Sequence, residues 1–97
     1  MEKLNTTEIK ESLKQLRGWN YENGTIWKSY TFKDFKEAFS VMTRIAFECE
    51  KLNHHPNWEN VYNSLTVHLN THDVGGITKN DFDLAKSIER IVGKKIS

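Results

Sequence analysis

The chain has 97 residues, and its 14 lysines and arginines against 13 aspartates and glutamates leave a formal net charge of +1. No basic cluster supplies the electrostatic footprint of a nucleic-acid binder, and no apolar run approaches the roughly 20 residues of a membrane span, so neither nucleic acid nor membrane is an expected partner. The length suits a single domain over residues 1–97 with a modest core, in the size range where self-association often adds stability.

The opening MEKLNTTEIK is too polar for a secretory leader, and the single cysteine, Cys49, has no internal disulfide partner. Both fit a soluble, cytoplasmic protein in which Cys49 packs inside. Asn5 as N-cap, Glu8 three residues on and the flanking pair Leu4 and Ile9 predict a helix over Thr6–Leu16. Ile9, Leu13 and Leu16 form its apolar stripe, and Gly18 is placed to end it. Strands over Trp19–Glu22 and Thr25–Phe32 follow, hinged on Asn23-Gly24, a dipeptide that accepts the positive φ angles of a tight hairpin.

From Asp34 the spacing becomes helical, with Phe35, Ala38, Phe39, Met42, Ile45, Ala46, Cys49 and Leu52 on one broad apolar face. Pro56 disfavours helical geometry at His55, so this helix should end near Asn53 and the His54-His55-Pro56 stretch should be extended. A second hairpin is expected from Trp58–Tyr62 and Leu65–Asn70 around Asn63-Ser64. Gly75-Gly76 marks a loop, and Thr78 with Asp81 reads as a capping pair, stapled by Ile77 and Phe82. The last helix then turns Phe82, Ala85, Ile88 and Val92 inward. The order αββαββα implies an α+β two-layer sandwich, a four-stranded antiparallel sheet with three helices on one face.

A hairpin brings its ends together, so His72 should return towards His54 and His55. Imidazole titrates near neutrality, which suits a converging trio to general acid and base work. Adjacent histidines in a loop are also often merely solvated. A metal site is disfavoured, because neighbours on an extended segment point apart and no HExxH or CxxC spacing occurs. Trp58 and Tyr62 read as packing residues, and His68 as a sheet residue set apart from the other three. Asp81 is a helix-start carboxylate that could also orient His72.

Glu50 with His54-His55-Pro56 as ExxxHHP, then Trp58, Tyr62, the NTH ending in His72, Gly75-Gly76 and Asp81 form a pattern that resembles the pterin-4a-carbinolamine dehydratases over nearly the whole chain. The resemblance implies dehydration of a 4a-hydroxytetrahydropterin substrate to the quinonoid dihydropterin, the recycling step after aromatic amino-acid hydroxylation, with neither metal nor organic cofactor. It places catalytic roles on His54, His55 and His72, and substrate contacts on His54, His55, Pro56, Thr71, His72, Asp73 and Val74. Glu50 and Asp81 are in support. Asn57 and Asn70 depart from the residues frequent in the family at those positions, which leaves the preferred pterin side chain open. The resemblance also implies a homodimer or homotetramer, with the Phe35–Cys49 face serving core and interface. A second implied role is a protein-binding module, a coactivator that engages the dimerisation helix of a transcription factor.

Overall fold

Local start and stop signals set most element boundaries. In the computed structural model, which describes residues 2–94, the Asn5 side chain accepts the Glu8 N–H while Glu8 accepts the Asn5 N–H, completing the capping box of α1 (Thr6–Leu13). The helix stops at Leu13 and not at Leu16. Beyond it the amides of Lys14, Gln15 and Leu16 bond three residues back, to Glu11, Ser12 and Leu13, so the chain tightens into turns. Leu16 is buried all the same.

The first hairpin joins β1 (Asn20–Glu22) to β2 (Thr25–Thr31) through Asn23 at φ 53° and Gly24 at φ 74°, the positive pair expected of that dipeptide. Trp19 and Phe32 lie just outside the ladder, each buried. Helix α2 (Phe35–Leu52) starts on Asp34, whose side chain accepts the Glu37 N–H. Its broad apolar face divides: Ala38, Val41, Ile45 and Cys49 are buried, whereas Phe35 and Phe39 face outward with Phe47.

The second hairpin, β3 (Asn57–Val61) and β4 (Ser64–Leu69), turns at Tyr62-Asn63, one residue earlier than expected. Phe32 and Asn63 explain the shift: the Phe32 amide bonds the Asn63 carbonyl, and the Asn63 side chain bonds the Phe32 carbonyl, both at 2.8 Å. The Asn60 side chain braces the turn by donating to the carbonyls of Tyr62 and Ser64, and Tyr62 takes φ 51°. Tyr62 is therefore an exposed turn residue and not a packed strand residue, while Trp58 packs partly against the core as expected. Moving the turn by one residue moves each cross-strand partner by two, so Trp58 opposes Val67 and the inward set of side chains is unchanged.

The antiparallel sheet has the order β1-β2-β4-β3. Ile26 and Tyr30 of β2 with Leu65, Val67 and Leu69 of β4 point to one side, where they meet α2 and the Leu84, Ala85 and Ile88 of α3 (Lys79–Lys94). Burying each large aliphatic side chain there stabilises the fold by about 1.5–3 kcal/mol. Among the described residues no helix is long and apolar enough to cross a membrane.

One polar cluster clamps α3 to the sheet. A single Glu89 oxygen accepts from the Trp19 indole at 3.1 Å, from the Lys28 ammonium at 2.9 Å and from the Tyr30 hydroxyl. Burial acts to raise the Glu89 carboxyl, but the hydrogen bonds from Lys28, Tyr30 and Trp19 and the Lys28 charge together hold it below the ordinary carboxylate range. Burial, then the bond to Glu89, pushes the Tyr30 phenol up, so Tyr30 remains a donor. Burial likewise raises the Cys49 thiol, to about 11, which keeps it uncharged in the core.

A carboxyl whose folded-state pKa is depressed contributes stability above its unfolded value and loses it as pH falls. Glu89→Gln should therefore lower stability at pH 7 by about 1–2 kcal/mol. Urea midpoints should show that gap to the parent chain closing as pH drops below roughly 4.3, the ordinary glutamate value.

Candidate functional site

Helix α2 ends in a way that aims two neighbouring imidazoles in different directions. Asn53 adopts the left-handed conformation at φ 52° and ψ 46°. Its amide bonds the Glu50 carbonyl at 3.3 Å and the His54 amide bonds the Cys49 carbonyl at 3.0 Å, the paired bonds of a Schellman ending. His54 emerges pointing inward, with 11% of its side chain exposed, and His55 pointing outward, with 57% exposed.

The third imidazole arrives from the end of β4. Thr71 bridges to Gly76, with the Thr71 amide on the Gly76 carbonyl at 2.7 Å, and the pinched loop between them carries a short 3-10 turn over His72–Val74. Gly75 closes that turn at φ 65°, a conformation an L side chain rarely adopts. His72 and Asp73 are left exposed at the mouth. A hollow of about 240 Å³ results, and His54, His55 and His72 line it together with Asn53, Asn70, Thr71 and Asp73. Pro56 and Val74 sit beside this hollow and not in its wall.

Behind the hollow lies Asp81, fully buried in the first turn of α3. Its Oδ1 is 2.5 Å from His54 Nε2, so Asp81 orients His54 and not His72. The reason is directional: the Schellman ending turns His54 inward to the start of α3, whereas the 3-10 turn carries His72 outward. Oδ2 of Asp81 accepts the Thr71 hydroxyl and the Thr78 amide, each at 2.9 Å. Thr71 has one proton and gives it to the carboxylate, so across the 2.8 Å contact between the two hydroxyls Thr78 is the donor. Thr78 in turn accepts the Asn80 amide at 3.2 Å. The bonds thus run one way, from Asn80 through Thr78 and Thr71 to Asp81, with His54 on the other oxygen.

With its Nε2–H given to Asp81, neutral His54 carries its lone pair on Nδ1, which has no protein partner among the described residues. His55 pairs through Nε2 with Glu50 Oε2 at 2.7 Å in an exposed contact, and the His72 ring has no hydrogen-bond partner among those residues. The three rings are thus held to different degrees: one fixed by a buried carboxylate, one tethered at the surface, one untethered. No group of three or more His, Cys, Asp and Glu side chains arranged to hold a metal ion occurs among the described residues. Asn53 and the Thr78 hydroxyl are the members of this site that sequence reading did not single out for it. Their signals were present, an Asn at a helix exit and a Thr at a helix entry, but both had been absorbed as element boundaries.

Comparison with known proteins places this geometry in a family. The family described as Pterin 4 alpha carbinolamine dehydratase matches residues 2–91. A relative from Christiangramia forsetii, provisionally named pterin-4-alpha-carbinolamine dehydratase, is 54% identical over 92 residues, covering 95% of each chain. Another with the same provisional name, from Sinorhizobium medicae, is 50% identical over 91 residues, covering 92% of this chain and 87% of its own. A crystal structure described as a transcriptional coactivator/pterin dehydratase from Brucella melitensis superposes with a TM-score of 0.90 at 39% identity, over 93% of this chain and 98% of that one.

Asp81→Asn should test the buried network directly. An amide supplies one acceptor where the carboxylate supplies two, so a bond to His54 or to Thr71 and Thr78 fails. The expected loss is about 1–3 kcal/mol in urea unfolding. The low-field Nε2 proton of His54 should disappear from the NMR spectrum in the same variant, and its persistence would count against the pairing.

Proposed function

The chain belongs to the pterin-4a-carbinolamine dehydratase family, and from that premise we propose that it dehydrates a 4a-hydroxytetrahydropterin to the quinonoid dihydropterin, in the recycling of tetrahydrobiopterin. In this reaction the C4a–O bond breaks, the hydroxyl leaves as water after gaining a proton, N5 gives up its proton, and a C4a–N5 double bond forms. The observation that carries the reading is the hollow shared by His54, His55 and His72, backed by the carboxylate of Asp81.

His54 suits the base. Its Nε2–H is committed to Asp81, which fixes the tautomer and stabilises the imidazolium that forms when Nδ1 takes the N5 proton. His72, untethered at the mouth, delivers the proton to the departing hydroxyl and exchanges it with solvent. His55, tethered by Glu50, binds and polarises the ring. Asn53, Asn70 and Asp73 supply amide and carboxylate groups around the heterocycle. The scheme asks nothing of a metal or an organic cofactor.

A protein-binding role is the second reading, favoured by α2. Phe35, Phe39 and Phe47 are 44%, 56% and 73% exposed, with the first two rings 5.6 Å apart. Such a face on a small protein suits association. We place the contacts of a homodimer or homotetramer there, and the same face is where a partner's helix would compete.

Stopped-flow absorbance with freshly generated 4a-hydroxytetrahydrobiopterin tests the chemistry. His54→Ala and His72→Ala should each lower kcat by about 10² to 10⁴, and Asp81→Asn by about 10 to 100. His55→Ala should act mainly on KM, and EDTA should change nothing. Wild-type turnover in all three alanine variants would sink the assignment. Sedimentation should show a species heavier than the 11.4 kDa chain, and Phe47→Glu should shift it towards the monomer.

A further inference from the structure

A larger hollow, about 390 Å³, lies on the sheet face opposite the core. Strand register builds it. Asn20 opposes Trp27, Trp27 opposes His68, and His68 opposes Asn57, so one row of side chains crosses all four strands on this face. Glu22 and Thr25, from the first hairpin, wall one side, and Thr66 the other. The Trp27 and His68 rings stand 5.9 Å apart between centroids, tilted by 31°, both only partly buried.

Elsewhere the Trp19 indole is paired with Glu89, His54 with Asp81 and His55 with Glu50. In this hollow the Thr25 hydroxyl donates to the Glu22 carbonyl and the Thr66 hydroxyl pairs with that of Ser29, while four other groups stay open. Among the described residues, the Trp27 indole N–H, the His68 imidazole, the Glu22 carboxylate and the Asn57 side-chain amide have no hydrogen-bond partner, although they face one concavity of a size that suits a small ligand. No lysine or arginine lines it, so no full positive charge is there to favour an anion. Two ring faces suit stacking against a flat group, and a carboxylate beside an amide suits N–H donors on that group's edge.

We infer that this hollow is a second ligand site, distinct from the imidazole hollow, which takes an uncharged planar heterocycle stacked on Trp27 with an amino-substituted N–H edge turned to Glu22. A 2-amino-4-oxopteridine and a guanine base share that edge chemistry. His68 lies two residues before Asn70, and Asn57 two residues after His55, so the two hollows are neighbours along β3 and β4. The inference rests on the four unpaired groups that share this hollow and not on the dehydratase assignment.

The full chain, labelled with nitrogen-15, is titrated with pterin, guanosine and benzoate while the Trp27 indole resonance is followed. Pterin or guanosine should shift it saturably with a millimolar or tighter Kd; benzoate, planar but anionic and without N–H donors, should not. A response to guanosine alone marks a purine site, and a pterin response that persists in His72→Ala marks a second pteridine site. Glu22→Gln, a change on an exposed hairpin, should weaken binding at least fivefold with the fold intact. Trp27→Leu should abolish the titration, read on the remaining resonances, and leave pterin-carbinolamine turnover within twofold. Absence of a saturable shift with both heterocycles, equal binding of benzoate, or unchanged affinity in Glu22→Gln would overturn the site. Loss of turnover in Trp27→Leu would assign the hollow to the catalytic site instead.

Discussion

The carboxylate of Asp81 is the constraint on which the geometry of the imidazole hollow depends. It is fully buried, and both of its oxygens accept hydrogen bonds, one from His54 and the other from Thr71 and the Thr78 amide. Burying such a group without partners would cost several kcal/mol, so each donor is held in place by the need to satisfy it. Those donors come from three separate stretches: the exit of α2, the end of β4 and the entry of α3. One residue thereby fixes how three elements meet, and the hollow is the space they enclose. The same atom set serves as a helix cap and as the orienting partner of an imidazole, so stability and reactivity share a single group here.

Helix α3 repeats the device further along. Glu89 collects Trp19, Lys28 and Tyr30 from β2 and the segment before β1, as Asp81 collects the loop after β4 and the exit of α2. The helix is therefore pinned to the rest of the fold at two points about 12 Å apart, eight residues at 1.5 Å each. Between them lie Leu84, Ala85 and Ile88, all buried without measurable exposure. Polar anchors at the ends set the position of α3, and the apolar stretch between them supplies the adhesion.

Much of this was legible in the residues. Element order, the Asn23-Gly24 hairpin, the Asn5 and Thr78 starts and the return of His72 all follow from local chemistry and period. What failed to show were choices made by distant partners. The second turn moved to Tyr62-Asn63 because Asn63 locks onto Phe32, which lies 31 positions earlier. Asp81 chose His54 over His72 because a left-handed Asn53 rotates the chain inward, a handedness that no spacing pattern encodes. The outward turn of Phe35 and Phe39 was likewise hidden, since an apolar stripe wider than one face reads the same whether its margin is covered or bare. The row from Asn20 to Asn57 depends on register, which appears only when the strands are aligned.

The one-way run of hydroxyls into Asp81 has a consequence for how this chain can diverge. Ten positions separate Thr71 from Asp81 and five separate Cys49 from His54, and each span is closed by hydrogen bonds at both ends. A residue added inside either span would displace a donor from a carboxylate that is fully buried. The tightened turns over Lys14–Gly18 have no tie to a buried carboxylate: the Arg17 carbonyl accepts the Lys28 ammonium at 2.9 Å, and most of that stretch is exposed. Length variation between lineages should accumulate in that stretch and be purged from the other two, a pattern of gaps rather than of letters.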